Sequence, residues 1–417
     1  MNHGFNGLLM NNTNILFDLS STQPLGGIYF HGGGEYAKTV FFKLCEEIFK
    51  NVNNIKLEAI YNPLKPIENS ILEICKIKNI KVNYCKNHID INKLLYEKFF
   101  NVFYSALPYS YTDLEIPEKT KFVYTIHGLR SLEYSPDRYF LKYDKEKIKE
   151  KIIHYLFIFF PSFIKYLKSK HVINNLNKLF SHAKNQTIIT VSNHSKYSIA
   201  YFFPNISITK IKVLYSPMKN YNTDDQANTD ILKSLSLEAG KYILLILGNR
   251  SSKGAYRACR VLNKLIKNNS LIPLDIKILV LGVTYSIHYH RLTKDNPRFI
   301  YHDYVSTINL EILYKNAHLF LYPTLNEGFG YPPIEAMKHG TLCACSANSS
   351  ISEVCGEAVL YFNPFDEIEM SNRILQSFDE KIRNEKIEKM TEHFLQISKR
   401  QEHDLELLIQ EITNENA

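Results

Sequence analysis

Asn326-Glu327-Gly328-Phe329-Gly330-Tyr331-Pro332-Pro333-Ile334-Glu335-Ala336-Met337 is the stretch that decides how this chain is read. Two carboxylates bracket a glycine-containing turn that runs into a helix. Pro333 suits a first helical position and Gly340 suits a stop. Upstream, His318-Leu319-Phe320-Leu321-Tyr322-Pro323 has the pattern of a buried strand that ends at a proline. Strand, tight turn and helix start together make an anion cradle, because unbonded backbone N–H groups and the positive end of the helix dipole face one point. Pro332 and Pro333 have no N–H, so Gly330, Tyr331 and Ile334 must supply the donors. Glu335 falls in the first helical turn on this reading, where dipole compensation would by itself account for a carboxylate.

The rest of the chain bounds what this cradle can belong to. A length of 417 residues exceeds what one hydrophobic core usually serves, so two domains are expected. Hydrophobic residues at 45% and charged residues at 22% are ordinary globular values, which exclude a disordered or fibrous chain. The net charge of +8 suits an anionic substrate, an anionic membrane surface or nucleic acid. No nucleic-acid module is recognisable, so nucleic acid is not an expected partner. The cysteines are scattered and form no metal-type pair of pairs; they read as buried, reduced thiols. No apolar run approaches the ~20 residues that span a bilayer, and the start of the chain lacks a signal-peptide core. The expected location is therefore cytoplasmic, free or peripheral on the inner face of the membrane.

Strand and helix signals alternate throughout, which implies parallel sheets with helices on both faces. In the first half, strands are expected at 14–19, 55–60, 80–84, 101–105, 121–126 and 187–191, with a helix from Tyr36 to Phe49. The alternation restarts after Ile211–Tyr215, with strands at 241–247, 275–281, 298–304, 317–322, 341–346 and 358–362. A cluster of Pro, Asn and Asp near 217–224 marks the boundary. The expected division is 1–217, 218–395 and a C-terminal helix, 396–417.

Seven residues separate Glu327 from Glu335, and the string encloses Gly-Phe-Gly-x-Pro. It resembles the E-x7-E signature of retaining family-4 glycosyltransferases, which have the GT-B fold: two Rossmann-like α/β domains facing across a cleft. The resemblance runs almost continuously from Lys241 to Asp366 and is thinner in the first half. It implies that Glu335 hydrogen-bonds the ribose of a nucleotide diphosphate sugar, and that Glu327 approaches the transferred sugar. Phe329, Gly330 and Tyr331 would complete the sugar and diphosphate contacts, and the base would sit near Tyr304 and Val305. Leu247-Gly248-Asn249-Arg250-Ser251-Ser252-Lys253-Gly254 resembles the family's cationic diphosphate clamp, with Arg250 and Lys253 as its charges; solvated loop cations are the plainer reading. His31-Gly32-Gly33-Gly34 resembles the family's glycine loop, where Gly33 and Gly34 would give donor phosphate a bare backbone to approach. His127, at a strand end, has two readings, a cleft residue near the sugar or a satisfied core histidine. Ser192 likewise fits a cleft position or a helix cap.

No Asp-x-Asp motif follows a strand, so fixed cations rather than a metal are expected to neutralise the leaving group. The resemblance implies front-face transfer with retention, a nucleotide sugar as co-substrate, no cofactor, and a saccharide or lipid-linked acceptor in surface-polysaccharide or lipopolysaccharide assembly. A sugar phosphorylase, a nucleotide-sugar epimerase or a non-catalytic binder of nucleotide sugars or nucleic acid are the competing readings. Ser350 and Glu353 form a capping-box pattern. Residues 144–184 match no family motif; their lysines surround an aromatic, apolar run at 152–164. Two readings fit that insert, a helical segment packed on the domain or a surface that docks on anionic membrane.

Overall fold

The computed structural model describes residues 13–24, 32–50, 55–111, 113–134, 139–143, 160–218, 231–268, 271–283, 287–294 and 296–414. Short apolar runs such as Leu16-Phe17 and Leu319-Phe320-Leu321-Tyr322 are buried, as central parallel strands covered on both faces require. They assemble into two all-parallel sheets. The first contains β1 (Thr13–Asp18), β2 (Ile55–Tyr61), β3 (Lys81–Tyr84), β4 (Val102–Ser105), β5 (Lys121–Ile126), β6 (Gln186–Thr190) and β7 (Ile211–Val213). Its strand order is β3-β2-β1-β4-β5-β6-β7. The second contains β8 (Tyr242–Leu245), β9 (Lys277–Leu281), β10 (Phe299–His302), β11 (Leu319–Tyr322), β12 (Cys343–Ser346) and β13 (Leu360–Phe362), in the order β10-β9-β8-β11-β12-β13.

Both orders are doubly wound. The chain builds outward from a first strand, then returns to that strand's other side. The crevice left at this reversal, beyond the carboxyl ends of the strands, is where such sheets bind ligands. In the first sheet the reversal lies between β1 and β4, and in the second between β8 and β11. The GT-B architecture expected from the sequence is the one observed.

Three expectations about local structure change. The first helix is Gly32–Lys50, so the three glycines form its opening turn rather than a preceding loop. The first N–H groups of a helix have no intrahelical partner, which makes this turn a tolerant place for glycine. His31 lies outside the described residues. The helix of the decisive stretch is Tyr331–Lys338, with Gly330 at its N-cap and φ at +108°. Pro332 and Pro333 are accommodated early in it for the same reason, and Glu335 is carried beyond the first turn. Dipole compensation therefore does not explain Glu335.

The third change concerns Ser350 and Glu353. Ser350 caps no N–H of its helix, Ile351–Cys355; its hydroxyl donates to the carbonyls of Glu327 and Phe329 instead. Glu353 leaves its own helix altogether, as described below. The capping-box pattern is present in sequence and unused in structure.

The last helix, Glu380–Thr413, is unbroken and changes partners along its length. His393 touches the carbonyl of Val354 in the second domain, whereas Asp404 accepts the backbone N–H of Tyr215 at 2.8 Å in the first. Further on, Lys121 of β5 donates to the Asn414 carbonyl. This helix fastens the two sheets together. All seven cysteines are buried and free. Of the insert, residues 144–159 lie outside the described residues. Leu176, Leu179 and Phe180, late in the helix Pro161–Ser181, are buried against Phe103, Phe122 and Tyr124.

Candidate functional site

The two loops at the β8–β11 reversal hold each other in place. The first follows β8 and ends at Gly254; the second follows β11 and contains Glu327. Leu325 donates its N–H to the Ser252 carbonyl at 2.7 Å, and the Thr324 hydroxyl reaches the same carbonyl. Gly254 has φ at +68°, and a Cβ there would lie 2.1 Å from the carbonyl oxygen of Pro323. Only glycine lets the loops come this close.

At the point they enclose, Lys253 and Glu327 form a buried ion pair. Glu327 Oε1 also accepts the Tyr322 hydroxyl at 2.6 Å and the Thr324 hydroxyl at 2.7 Å. The Lys253 ammonium donates to the Tyr322 hydroxyl at 2.9 Å. Burial by itself would raise the Glu327 carboxyl, but Lys253 and then Arg130 outweigh it and hold the group down at about 2. Burial pushes the Lys253 ammonium down, Glu327 pulls it back, and Arg130 and Arg250 push it down again, leaving it at about 8. The pair is charged at neutral pH. Arg250 is half-buried, and its side chain has no hydrogen bond or ion pair among the described residues. Arg130, Arg250 and Lys253 thus all act electrostatically at this one point.

The other residues expected to contact the donor have partners of their own. Glu335 accepts the Tyr314 hydroxyl at 3.2 Å on the adjoining helix Thr307–Lys315. Tyr304 follows β10, is 55% exposed, and donates its hydroxyl to Asn249 Oδ1 at 3.2 Å; Val305 is half-buried beside it. Phe329 is buried with its ring against Tyr215 and Tyr331. Gly32 faces the Tyr331 ring, while Gly33 packs against Leu107. Gly34 is buried one residue further into the helix.

The first domain meets the same loop edge-on. A Cβ at Gly328 would lie 1.5 Å from the carbonyl oxygen of His127, so backbone touches backbone here. Ser192 caps the helix Asn193–Phe202 through the N–H of Ser195, and its hydroxyl donates to the Gly328 carbonyl at 2.6 Å. Both readings of Ser192 hold at once. His127 has the contacts of a satisfied core histidine. Its Nε2 donates to the Ala106 carbonyl at 3.0 Å and its ring meets Tyr36 edge-on, yet it stands at the contact with the Glu327 loop.

Four residues complete the junction: Arg130, Glu133 and Tyr143, which the sequence does not single out, and Glu353, which it marks only as half of a capping box. Arg130 Nη2 lies 3.4 Å from Glu327 Oε2. Glu133, at the other end of the one-turn helix Arg130–Glu133, accepts the Asn326 amide at 2.6 Å and faces His194 Nε2 at 3.1 Å. Burial would raise the Glu133 carboxyl, but hydrogen bonds from His194, Ser198 and Asn326 bring it to about 2. Glu353 caps the first turn of Asn193–Phe202 from the opposite domain, accepting the N–H groups of Asn193 at 2.8 Å and His194 at 3.0 Å. The Tyr143 hydroxyl accepts the Tyr256 N–H at the start of the helix Ala255–Lys267, directly after the Lys253 loop. For Arg130 and Glu133 the one local signal is their proximity to His127, for Glu353 it is the capping-box pattern with Ser350, and Tyr143 has none.

No group of three or more His, Cys, Asp and Glu side chains that could hold a metal occurs among the described residues, and no described helix is long and apolar enough to cross a membrane.

Residues 228–394 match the family described as glycosyl transferases group 1. The O-antigen chain mannosyltransferase RfbU of Salmonella typhimurium is 31% identical over 187 residues, which cover 43% of this chain and 47% of that protein. The match thus spans about half the length of that relative. A glycosyltransferase structure from Rickettsia africae superposes with a TM-score of 0.60 at 14% identity, covering 98% of this chain and 100% of the other. Anabaena Alr3699/HepE in complex with UDP-glucose superposes with a TM-score of 0.58 at 14% identity, covering 96% and 98%. At such identities the superpositions speak for the fold alone. The two doubly wound sheets and these superpositions give the chain the GT-B fold, and its residues 228–394, which carry the Lys253 and Glu327 loops, match glycosyl transferases group 1.

Proposed function

We propose that the chain is a retaining glycosyltransferase that moves a sugar from a UDP- or GDP-linked donor to a hydroxyl of a glycan or lipid-linked saccharide, without a metal ion, in cell-surface polysaccharide assembly. The observation that carries this reading is the buried Lys253–Glu327 pair at the β8–β11 reversal, with the Arg250 side chain lacking an anionic partner among the described residues. The donor's diphosphate would lie against Lys253 and Arg250, and Glu335 and the Tyr304–Val305 loop would take the ribose and base. As the bond from the anomeric carbon to the diphosphate oxygen breaks, negative charge grows on the leaving group, and the two cations stabilise it in place. The acceptor oxygen bonds to the same face of that carbon, and its proton passes to an oxygen of the departing diphosphate. Glu327 keeps Lys253 charged and offers its second oxygen toward the sugar.

Mannosyltransferase relatives of O-antigen synthesis make mannose the first sugar to test; the UDP-glucose held by the Anabaena neighbour makes UDP donors the second. The test is incubation of the protein with GDP-mannose, UDP-glucose and related donors plus saccharide acceptors, with product mass and anomeric configuration read by NMR. An α-linked product from an α-linked donor, formed equally in EDTA, supports the reading. Sugar 1-phosphate or an epimerised donor as the sole product refutes it. Peripheral docking on anionic membrane through the insert 144–184 is part of the same proposal, and absence of flotation with anionic vesicles would remove it.

A further inference from the structure

The first domain's contribution to the charged site points beyond the residues already given a role. Arg130 opens a one-turn helix whose two ends both reach the loop after β11: Arg130 toward Glu327, and Glu133 toward Asn326. The turn itself is fixed. Leu129 and Leu132 are buried in the core, and Glu133 is held by Ser198 and Asn326. The guanidinium at its start is not. The Arg130 side chain is 43% exposed, while those of Lys253 and Glu327 are 6% and 7%.

The contact with Glu327 does not account for a residue held this way. A strong guanidinium–carboxylate pair is bidentate, with N to O distances of about 2.7–2.9 Å. Here a single nitrogen stands 3.4 Å away. Lys253, Tyr322 and Thr324 already saturate Glu327 Oε1, so Arg130 adds its charge at Oε2 without being the main partner. Arg130 presents a planar fork of donors and uses one nitrogen on Glu327; no other hydrogen bond or ion pair engages it among the described residues. Around this point Arg130, Arg250 and Lys253 bring three cations to one carboxylate. A positive excess in a partly dry site is stabilised by an incoming anion with several acceptor oxygens.

We infer that Arg130 is a third diphosphate-binding cation, delivered by the first domain, so that the donor's leaving group is fully neutralised only when the two domains are in contact as they are here. This rests on the donor-site reading proposed above and assigns a residue of the opposite domain to that site. The charge that develops on the leaving group is then tied to domain contact through Arg130, Glu133 and the Glu353 cap.

The test uses inorganic pyrophosphate, which carries the diphosphate charge without base or sugar, with orthophosphate as the comparison. Titration calorimetry is run on the full chain and on the Arg130→Ala, Arg130→Lys and Lys253→Ala variants, each checked for folding by circular dichroism. The inference expects Arg130→Ala to weaken pyrophosphate binding about tenfold or more and orthophosphate binding less, with Arg130→Lys recovering part of the loss. Arg130→Ala binding pyrophosphate like the parent while Lys253→Ala does not would overturn the role of Arg130 and leave the donor site standing. Unchanged binding in Lys253→Ala as well would overturn both. Should Arg130→Ala not fold, an unweakened Arg130→Gln overturns the inference equally.

Discussion

The two domains share a topology and treat its ligand crevice in opposite ways. At the first domain's reversal, Asp18 ends β1 and is fully buried. It accepts the Ser20 N–H at 2.9 Å and the hydroxyls of Ser20, Ser21 and Ser105 at 2.5, 3.1 and 2.7 Å, all from its own domain. No described cation pairs with it, and burial pushes its carboxyl up. At the second domain's reversal, Glu327 is bound by Lys253 and faced by Arg130 from across the junction, and its carboxyl is pushed down. Hydroxyl donors plug one crevice and surplus cations charge the other. Topology supplies two crevices, and side-chain chemistry decides which one can hold an anion.

The largest way to break this contrast is at the charged crevice. Lys253→Met should lower transfer by about a hundredfold to a thousandfold, the scale for losing one preorganised charge partner. It should also destabilise the fold by about 3–5 kcal/mol, because Glu327 stays buried without its main partner. Combining it with Glu327→Gln should restore the melting temperature and leave transfer low. Initial rates and thermal unfolding of the single and double variants check this.

At the plugged crevice the effect should fall on stability alone. Asp18→Ala leaves buried donors unmatched and should cost about 1–3 kcal/mol in denaturant unfolding, with donor affinity unchanged. The two carboxylates also have opposite pH signatures. The Glu327 contribution is complete above about 4.5, its unfolded value, and is lost as pH falls toward about 2. Asp18 is raised above its unfolded 3.8, so its contribution declines as pH rises through that region. Glu327→Gln should therefore flatten the acid side of the stability profile, whereas Asp18→Asn should steepen it.

A smaller effect is expected at alkaline pH. Lys253 is protonated below about 8 and loses its proton above, so pyrophosphate affinity should fall as pH rises past 8 and should not fall there in Lys253→Arg. Smallest is the junction itself. Glu353→Ala removes a cap from Asn193–Phe202 and should cost about 1 kcal/mol, with a few-fold weaker donor binding by calorimetry as the domains separate more readily.

The charged crevice was more legible than the plugged one. Lys253, Glu327 and Glu335 lie in local strings, each a buried strand followed by a glycine-bearing turn, and such strings announce both element and chemistry. Arg130 and Glu133 were missed because their partners lie 197 and 193 residues away, a separation no periodicity encodes. Glu353 was misread for a related reason. Its local pattern with Ser350 is a valid cap signal, yet each residue found a better partner elsewhere, Ser350 in the motif loop and Glu353 in the opposite domain. Glu335 lies two residues further into its helix than a start at Pro333 predicts, because Gly330 at positive φ, rather than the double proline, marks the start.

Titration of UDP and GDP against the parent protein, Lys253→Ala and Asp18→Asn separates the two crevices. At least one nucleotide should bind the parent and Asp18→Asn alike, and Lys253→Ala should bind neither. Binding that survives Lys253→Ala, or is lost in Asp18→Asn, would contradict this assignment of the two crevices.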